Sequence, residues 1–503
     1  MPAIVRPGLF LASLLVTLCS SLSGCIASGG LDPQAELADN GELPTDAAIR
    51  HAAQSAEWPR AQWWQAYGDA QLNAWVERAL AGSPGLAMAA ARVRRAQALA
   101  GVAAAAQAPQ LGLQASVQRK RWPDDNFYGP GPLARTSSWN NSAAFGLSYD
   151  LDLWGRLHSQ RERALSLARV AATEERAAAL ELQGSVVRVY IQLARQYAER
   201  DIARAELEQR EELLALARER RRIGLGTELE VAAAEAPLPE AQRQLDLADE
   251  AIALTGNQLA ALAGAGPGAA AELQRPQLRL HAAPRLPSRL PLELLGRRPD
   301  VVASRWQVAA AARGIEVARA DFYPNIDLLG SLGSAATQGG GLDWLRHDKL
   351  TWGIGPALSL PIFDGGARRS RLGAEAAGYD LAVEQYRQTL VQALQGVSDL
   401  LIRLHSLHEQ QAFAASALAT AERRVALAQE AHQRGLSDAR ELLVAQGRVF
   451  AAQRLQQQVL AEQLAAQAGL WVALGGGVLA ADSAPADAEL QAREVRLQLP
   501  GRP

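Results

Sequence analysis

The sequence predicts a mainly α-helical fold with membrane β-strands, built from one unit used twice, each copy holding long coiled-coil helices and a β-hairpin. Two observations carry this prediction. Pro84 opens a helical run reaching Gln107 and Pro109 then opens a strand; Pro299, Phe322 and Pro324 repeat that order 215 residues later (84 to 299, 109 to 324). Gly224 and Gly435, 211 residues apart, close the long helix of each copy, so the second copy is four residues shorter. A period this long marks a duplicated domain-sized unit, not a solenoid. The second copy begins in LPLELLGRRPDV, Leu290 to Val301.

Charge is nearly balanced, with 51 basic and 53 acidic residues, so nucleic acid is not expected as a partner. Both cysteines lie in the first 25 residues, which leaves the body of the chain without an internal disulfide or a cysteine-based metal site. Aromatic content is 5% and alanine is abundant, as suits closely packed helices.

Residues 1–24 have the layout of a signal peptide, with Arg6, an apolar run from Leu9 to Leu18 and small residues at the end. That run is too short to span a bilayer comfortably. Leu22, Ser23, Gly24 and Cys25 resemble a bacterial lipobox, in which Cys25 is acylated and becomes the new N-terminus; an ordinary signal peptide with a chance cysteine is the alternative. Ile26, not an aspartate, follows Cys25, which in sorted lipoproteins implies the outer membrane. Residues 25–60 then read as a lipidated, extended N-terminal segment. The first repeat spans 61–289, the second 290–477, and 478–503 form a polar C-terminal tail.

The first repeat opens on Trp58, Trp63, Trp64 and Trp75, a cluster suited to a carbohydrate or membrane-interface platform or to packing at the base of a helical bundle. From Leu111 the period changes to two. Leu111, Leu113, Ala115 and Val117 alternate with Gly112, Gln114, Ser116 and Gln118, predicting a strand over about 111–120. A second strand is expected over about 142–153, and the second copy gives strands near 326–334 and 351–361. A soluble two-layer sheet shares this alternation. Two lone hairpins among long helices, behind an export signal, favour a transmembrane barrel instead.

DLWGR and FDGGARR turn each hairpin into a helical run of about 69 residues, Gly155 to Ile223 and Gly366 to Arg434, without proline. At ~1.5 Å per residue such a helix reaches about 100 Å and must pair with others to bury a face. Arg220, Arg221 and Arg222 crowd the end of the first run before Gly224, and Arg434 precedes Gly435 in the second, placing tips at about 222–228 and 434–438. Thr227 with Glu230, and Asp438 with Glu441, each fit a capping box opening a return helix. Pro237 and Pro239 predict a break in the first return helix near Ala236 to Pro239.

WWQAYGDAQL, SYDLDLWGR, GLGTELEVAAAE, LLGRRPDVVASR, FYPNIDLLGSLG, LSLPIFDGGARR and LSDARELLVAQ together resemble the TolC-type outer-membrane efflux proteins, within them the NodT-like lipoproteins of RND efflux systems. The resemblance spans about residues 62–475, and LLGRRPDV with LPIFDGG makes it specific. It implies a homotrimeric α-helical tunnel joined to a twelve-stranded outer-membrane β-barrel. It also implies a lipid-anchored location in the outer membrane, extending into the periplasm, with a periplasmic adaptor (membrane fusion) protein and an inner-membrane RND transporter as partners. Independently of the family, four strands leave two open edges, and one chain cannot close a barrel that needs about eight or more.

No catalytic constellation, cofactor site or metal site is expected. His405 and His408, three apart on a helix, suit solvent exposure better than a shared metal. The resemblance assigns adaptor contacts to the tips: Arg222, Gly224, Leu225 and Thr227 in the first, Arg434, Gly435, Leu436, Ser437 and Asp438 in the second. Family tunnels narrow at acidic residues in an LDAQ-like motif just past the second tip. Here that motif is LVAQ, with Val444 in place of the carboxylate, which leaves Arg440 and Glu441 as the candidate constriction or Glu441 as a helix cap. The expected activity is passive conduction as the exit duct of a tripartite efflux pump. A type I protein-secretion duct and a lipid-anchored periplasmic coiled-coil scaffold are the alternatives.

Overall fold

The computed structural model describes residues 30–37, 60–123, 135–279, 297–336 and 346–477. Cys25 with its lipobox, Trp58, the C-terminal tail and most of LPLELLGRRPDV lie outside the described residues.

Helices α1 (Ala70–Gly82) and α2 (Pro84–Ala105) lead into strands β1 (Gln110–Arg121) and β2 (Ser137–Asp150). The long helix α3 (Arg156–Arg222) follows, then α4 (Glu228–Glu235) and α5 (Leu238–Leu262). The second copy runs α6 (Pro299–Ala320), β3 (Asn325–Ala336), β4 (Leu350–Ser359), α7 (Ala367–Gln433) and α8 (Ala439–Ala473). Both long helices have 67 residues. Glycines in the left-handed region begin them, Gly155 at φ 70° and Gly366 at φ 88°.

The helices pack as two parallel stacks. Along α3 lie α2 and α5, and between α3 and α7 lie α6 and α8. The short helices meet end to end because glycines end α5 and α8 in left-handed caps. Gly264 (φ 69°) abuts the Gly82 carbonyl, and Gly475 (φ 88°) abuts that of Arg297. These glycines are again 211 residues apart. A Cβ at Gly264 would stand 2.1 Å from the Gly82 oxygen, so only glycine allows this joint.

Position in the stack sets burial. Helix α6, enclosed by α3 and α7, buries 17 of its 22 residues. Its duplicate α2 buries only Ala89, Val93 and Ala100, because it forms a side edge of the chain. Trp63, Trp64 and Trp75 are buried with Tyr67 and Tyr190 where α1, α3, α5 and α8 converge, so the tryptophan cluster is packing, not a platform. Asp69 fixes this junction: it caps α1 through the amides of Gln71 and Leu72 and accepts from the Tyr190 hydroxyl at 2.9 Å and the Gln277 amide at 2.7 Å. Burial pushes the Tyr190 hydroxyl pKa far upward, helped by the Asp69 charge and hydrogen bond against the opposing bond with Gln71.

The four strands form one antiparallel sheet in chain order, and β1 and β4 are its edges among the described residues. Two boundaries differ from expectation. Strand β2 starts earlier, at Ser137, and stops at Asp150, not near 153. Asp152 takes a left-handed conformation (φ 46°) and its carboxylate receives the amides of Leu157 and His158 at the start of α3, so the chain leaves the sheet there. Strand β4 stops at Ser359, short of Pro361. The first return helix breaks where its prolines require: α4 ends at Glu235, and α5 resumes at Leu238.

Candidate channel surfaces

The sheet has two unlike faces. Register places Leu113, Phe145, Leu332 and Trp352 side by side across all four strands, with Leu111, Leu147, Gly330 and Ile354 in the next row. The opposite face is small and polar: Gly112, Gly146, Ser331 and Gly353 form one row, with Gln114, Ala144, Gly333 and Thr351 beside it. The apolar side is bare, with Leu111 71% and Trp352 75% exposed. A soluble two-layer sheet buries that face; leaving such side chains in water costs about 2 kcal/mol each. Strands of 10 to 14 residues are long enough to cross a bilayer when tilted. Among the described residues no helix is long and apolar enough to do so.

At the far end of the helices the two tips share one backbone design. In the first, the Leu225 amide returns to the Arg220 carbonyl at 2.8 Å around Gly224 (φ 78°); in the second, the Leu436 amide returns to Ala431 at 2.8 Å around Gly435 (φ 72°). Leu225 and Leu436 are exposed, as is Leu229 beside them. Arg222 pairs with Glu219, and Arg434 with Glu430.

The return helices are capped differently. Thr227 and Glu230 close the expected capping box. Asp438 and Glu441 do not: Asp438 accepts from the Arg440 amide, and its second oxygen faces Arg220 at 3.5 Å. A Glu441 carboxylate folded back would crowd the Asp438 charge. Glu441 is exposed instead, and among the described residues no ion pair joins it to Arg440 or any other cation. The reading of Glu441 as a helix cap is thereby corrected. Ser437 offers its carbonyl to the His432 ring at 3.1 Å.

Sequence reasoning missed the contacts that hold the tips together. Arg220 joins them, and deeper in the bundle Arg454 of α8 reaches Glu206 of α3. Glu206 would be raised by burial alone, but hydrogen bonds and charge from Arg454 and Arg210 outweigh this and hold it below the usual carboxylate range. Between α3, α4 and α8 lies a cleft of ≈ 410 Å³ lined by Leu213, Leu216, Leu229, Pro237, Arg440 and Val444 among others. No local signal marks partners separated by more than 200 residues; only the stacking of α8 on α3 brings them together. His405 and His408 are exposed on α7.

Comparisons agree with this geometry. The family described as outer membrane efflux protein matches residues 75–265 and 290–476. Fusaric acid resistance protein FusA of Burkholderia cepacia is 48% identical over 74% of this chain and 69% of its own length. Pyoverdine export outer membrane protein OpmQ of Pseudomonas aeruginosa is 30% identical over 91% of this chain and 96% of its own. The structure of the outer membrane protein VceC from Vibrio cholerae superposes with a TM-score of 0.76 at 34% identity, covering 84% of this chain and all of that one. The fold class is that of trimeric channels in which a helical tunnel continues a β-barrel. The chain belongs to the outer membrane efflux protein family and is an outer-membrane channel component of an efflux system, not an enzyme.

Proposed function

We propose that three copies form the passive exit duct of a tripartite pump, joined at their periplasmic tips to an adaptor protein and through it to an inner-membrane RND transporter. The carrying observation is the sheet with one bare apolar face, one polar face and two edges that pair with no other strand among the described residues, continued directly into 67-residue helices. Closing the sheet with further copies puts the apolar rows against lipid and the polar rows around a water-filled lumen. Exposed Leu225, Leu229 and Leu436, together with the cleft beside them, suit the tips to an adaptor contact. Signal cleavage and acylation at Cys25 fit the same reading. Residues 30–37 lie along α6 and α7, where Asp32 pairs with Arg319 at 2.9 Å and Asp380 caps Gln34 and Ala35. Cys25 precedes Gly30 by five positions, a span of at most about 17 Å. Identity to the fusaric acid resistance protein supports fusaric acid or similar compounds as cargo, and loss of the gene is expected to lower resistance to it.

In this reading the exposed Glu441 and Arg440 ring the narrowest part of the closed duct. The test is planar-bilayer conductance of the detergent-extracted protein with its mass measured in parallel. Small, rarely open channels from a trimer are expected, with reduced cation sensitivity in Glu441→Gln. A monomer with no conductance would overturn the duct, and unchanged behaviour of Glu441→Gln would remove that residue from the constriction.

A further inference from the structure

The internal duplication fixes more than the fold, because the registers of the two hairpins obey the same offsets as the helices. Gln110 lies opposite Ser148 in the first hairpin; adding 215 and 211 gives Asn325 and Ser359, which lie opposite each other in the second. Thus β1 corresponds to β3 and β2 to β4. The seam between β2 and β3 inside one chain is then the duplicate of the seam that β4 must make with β1 of the next copy. Applied to that seam, the offsets turn Ala144 opposite Gly333 into Gly355 opposite Gln118. The intrachain pair is a very close one, where a Cβ on Gly333 would reach within 2.4 Å of the Ala144 Cβ, and its counterpart again contains a glycine. The Leu151 amide, which donates to the Ile326 carbonyl at 3.1 Å, maps onto Ile362 beside Leu111.

Ile362 and Phe363 are 92% and 89% exposed, although the turn that carries them is braced. Arg368 donates to the Pro361 carbonyl at 2.6 Å and to Asp364 at 2.7 Å, and Asp364 also receives the amides of Gly366 and Arg368. The duplicate turn is covered by its own chain: Trp154 stacks on Tyr323 at 4.4 Å and donates to the Pro324 carbonyl. The positions equivalent to Trp154, Tyr323 and Pro324 are Gly365, Ala108 and Pro109, two small residues and a proline that leave room for an aromatic ring.

We propose that β4 pairs with β1 of a second copy in the register of the β2–β3 seam, with Gly355 opposite Gln118 and Ile362 opposite Leu111 of that copy, and with Phe363 packed over its Ala108 and Pro109. Pro356 then faces Val117 and leaves the seam one hydrogen bond short, as a proline on an edge strand must. This inference rests on the closed-trimer reading above. It is tested by disulfide formation in the full-length protein in membranes. In a directly opposed pair the Cβ atoms are 4.5–5.5 Å apart, whereas neighbours two residues off are at roughly 7–8 Å and bridge poorly. Gly355→Cys is combined with Gln118→Cys, Ser116→Cys or Lys120→Cys, and Phe363→Cys with Ala108→Cys; Ser116→Cys with Ser142→Cys, opposed within one chain, sets the reference rate. Covalent trimers forming with Gln118→Cys on the order of tenfold faster than with either neighbour, and a bridge from Phe363→Cys to Ala108→Cys, are expected. Preference for position 116 or 120, or no bridging between copies in a protein whose mass is trimeric, would overturn the register and leave the trimer standing. No bridge at position 108 would place Phe363 in lipid. A monomeric mass would overturn the trimer itself.

Discussion

Glu230 and Glu441 stand at equivalent positions of the two tips, 211 residues apart, but only Glu230 returns a hydrogen bond to its N-cap. Glu230→Ala is therefore expected to loosen the first turn of α4, with Thr227→Ala costing about 1 kcal/mol there. Glu441→Ala is expected to change α8 by less than about 0.5 kcal/mol. Hydrogen exchange at the amides of residues 228–231 and 439–442 reads both effects, and equal loss of protection at the two tips would contradict the difference in capping. In the sequence the two tips look alike. What separates them is Arg220, whose pairing with Asp438 draws one carboxylate oxygen away from the cap.

Element boundaries follow local chemistry where the cause is local. Gly224, Gly264, Gly435 and Gly475 end four helices with the same left-handed cap, and the end-to-end joints depend on two of them. Gly264→Ala and Gly475→Ala are expected to destabilise by about 1–2 kcal/mol from backbone conformation alone, before any shift of the facing carbonyl. Gly101→Ala, in α2 with open space around it, should be neutral or slightly stabilising. Thermal dissociation of the three variants compares them, and a Gly264→Ala protein as stable as Gly101→Ala would refute the joint. The contact between α3 and α8 carries a pH dependence. Glu206 is held below its ordinary value in the folded state, so its contribution is present above the ordinary carboxylate pKa and is lost as pH falls through the lowered one. Acid strong enough to protonate Glu206 should loosen α8 from α3. Arg454→Ala should flatten that part of the acid-unfolding profile; an unchanged profile would show that the pair contributes nothing.

At the scale of the molecule, the proposed reading gives the chain two separate attachments to the membrane, the barrel and an acyl group on Cys25. Cys25→Ser should abolish incorporation of labelled palmitate while leaving the protein in the outer-membrane fraction, because the bare apolar face of the sheet still requires lipid. Recovery of Cys25→Ser in the soluble periplasmic fraction would mean that the lipid alone holds the chain. The two side edges also explain the uneven burial of α2 and α6: the same unit is enclosed when it lies inside the chain and open when it awaits a neighbour.

The sequence by itself determined the duplication, the helix lengths, the strand alternation, the proline break and the glycine caps, since each depends on periodicity or on a residue's own backbone preference. The end of β2 was less legible because Leu151 and Leu153 continue the alternation while Asp152 turns the chain. Only the tertiary structure decided that the tryptophans are core, that Arg220 joins the two tips, that Glu206 meets Arg454, and that Glu441 is free of its cap. Those outcomes depend on which helices lie side by side, and contacts between residues more than 200 positions apart leave no trace in local pattern.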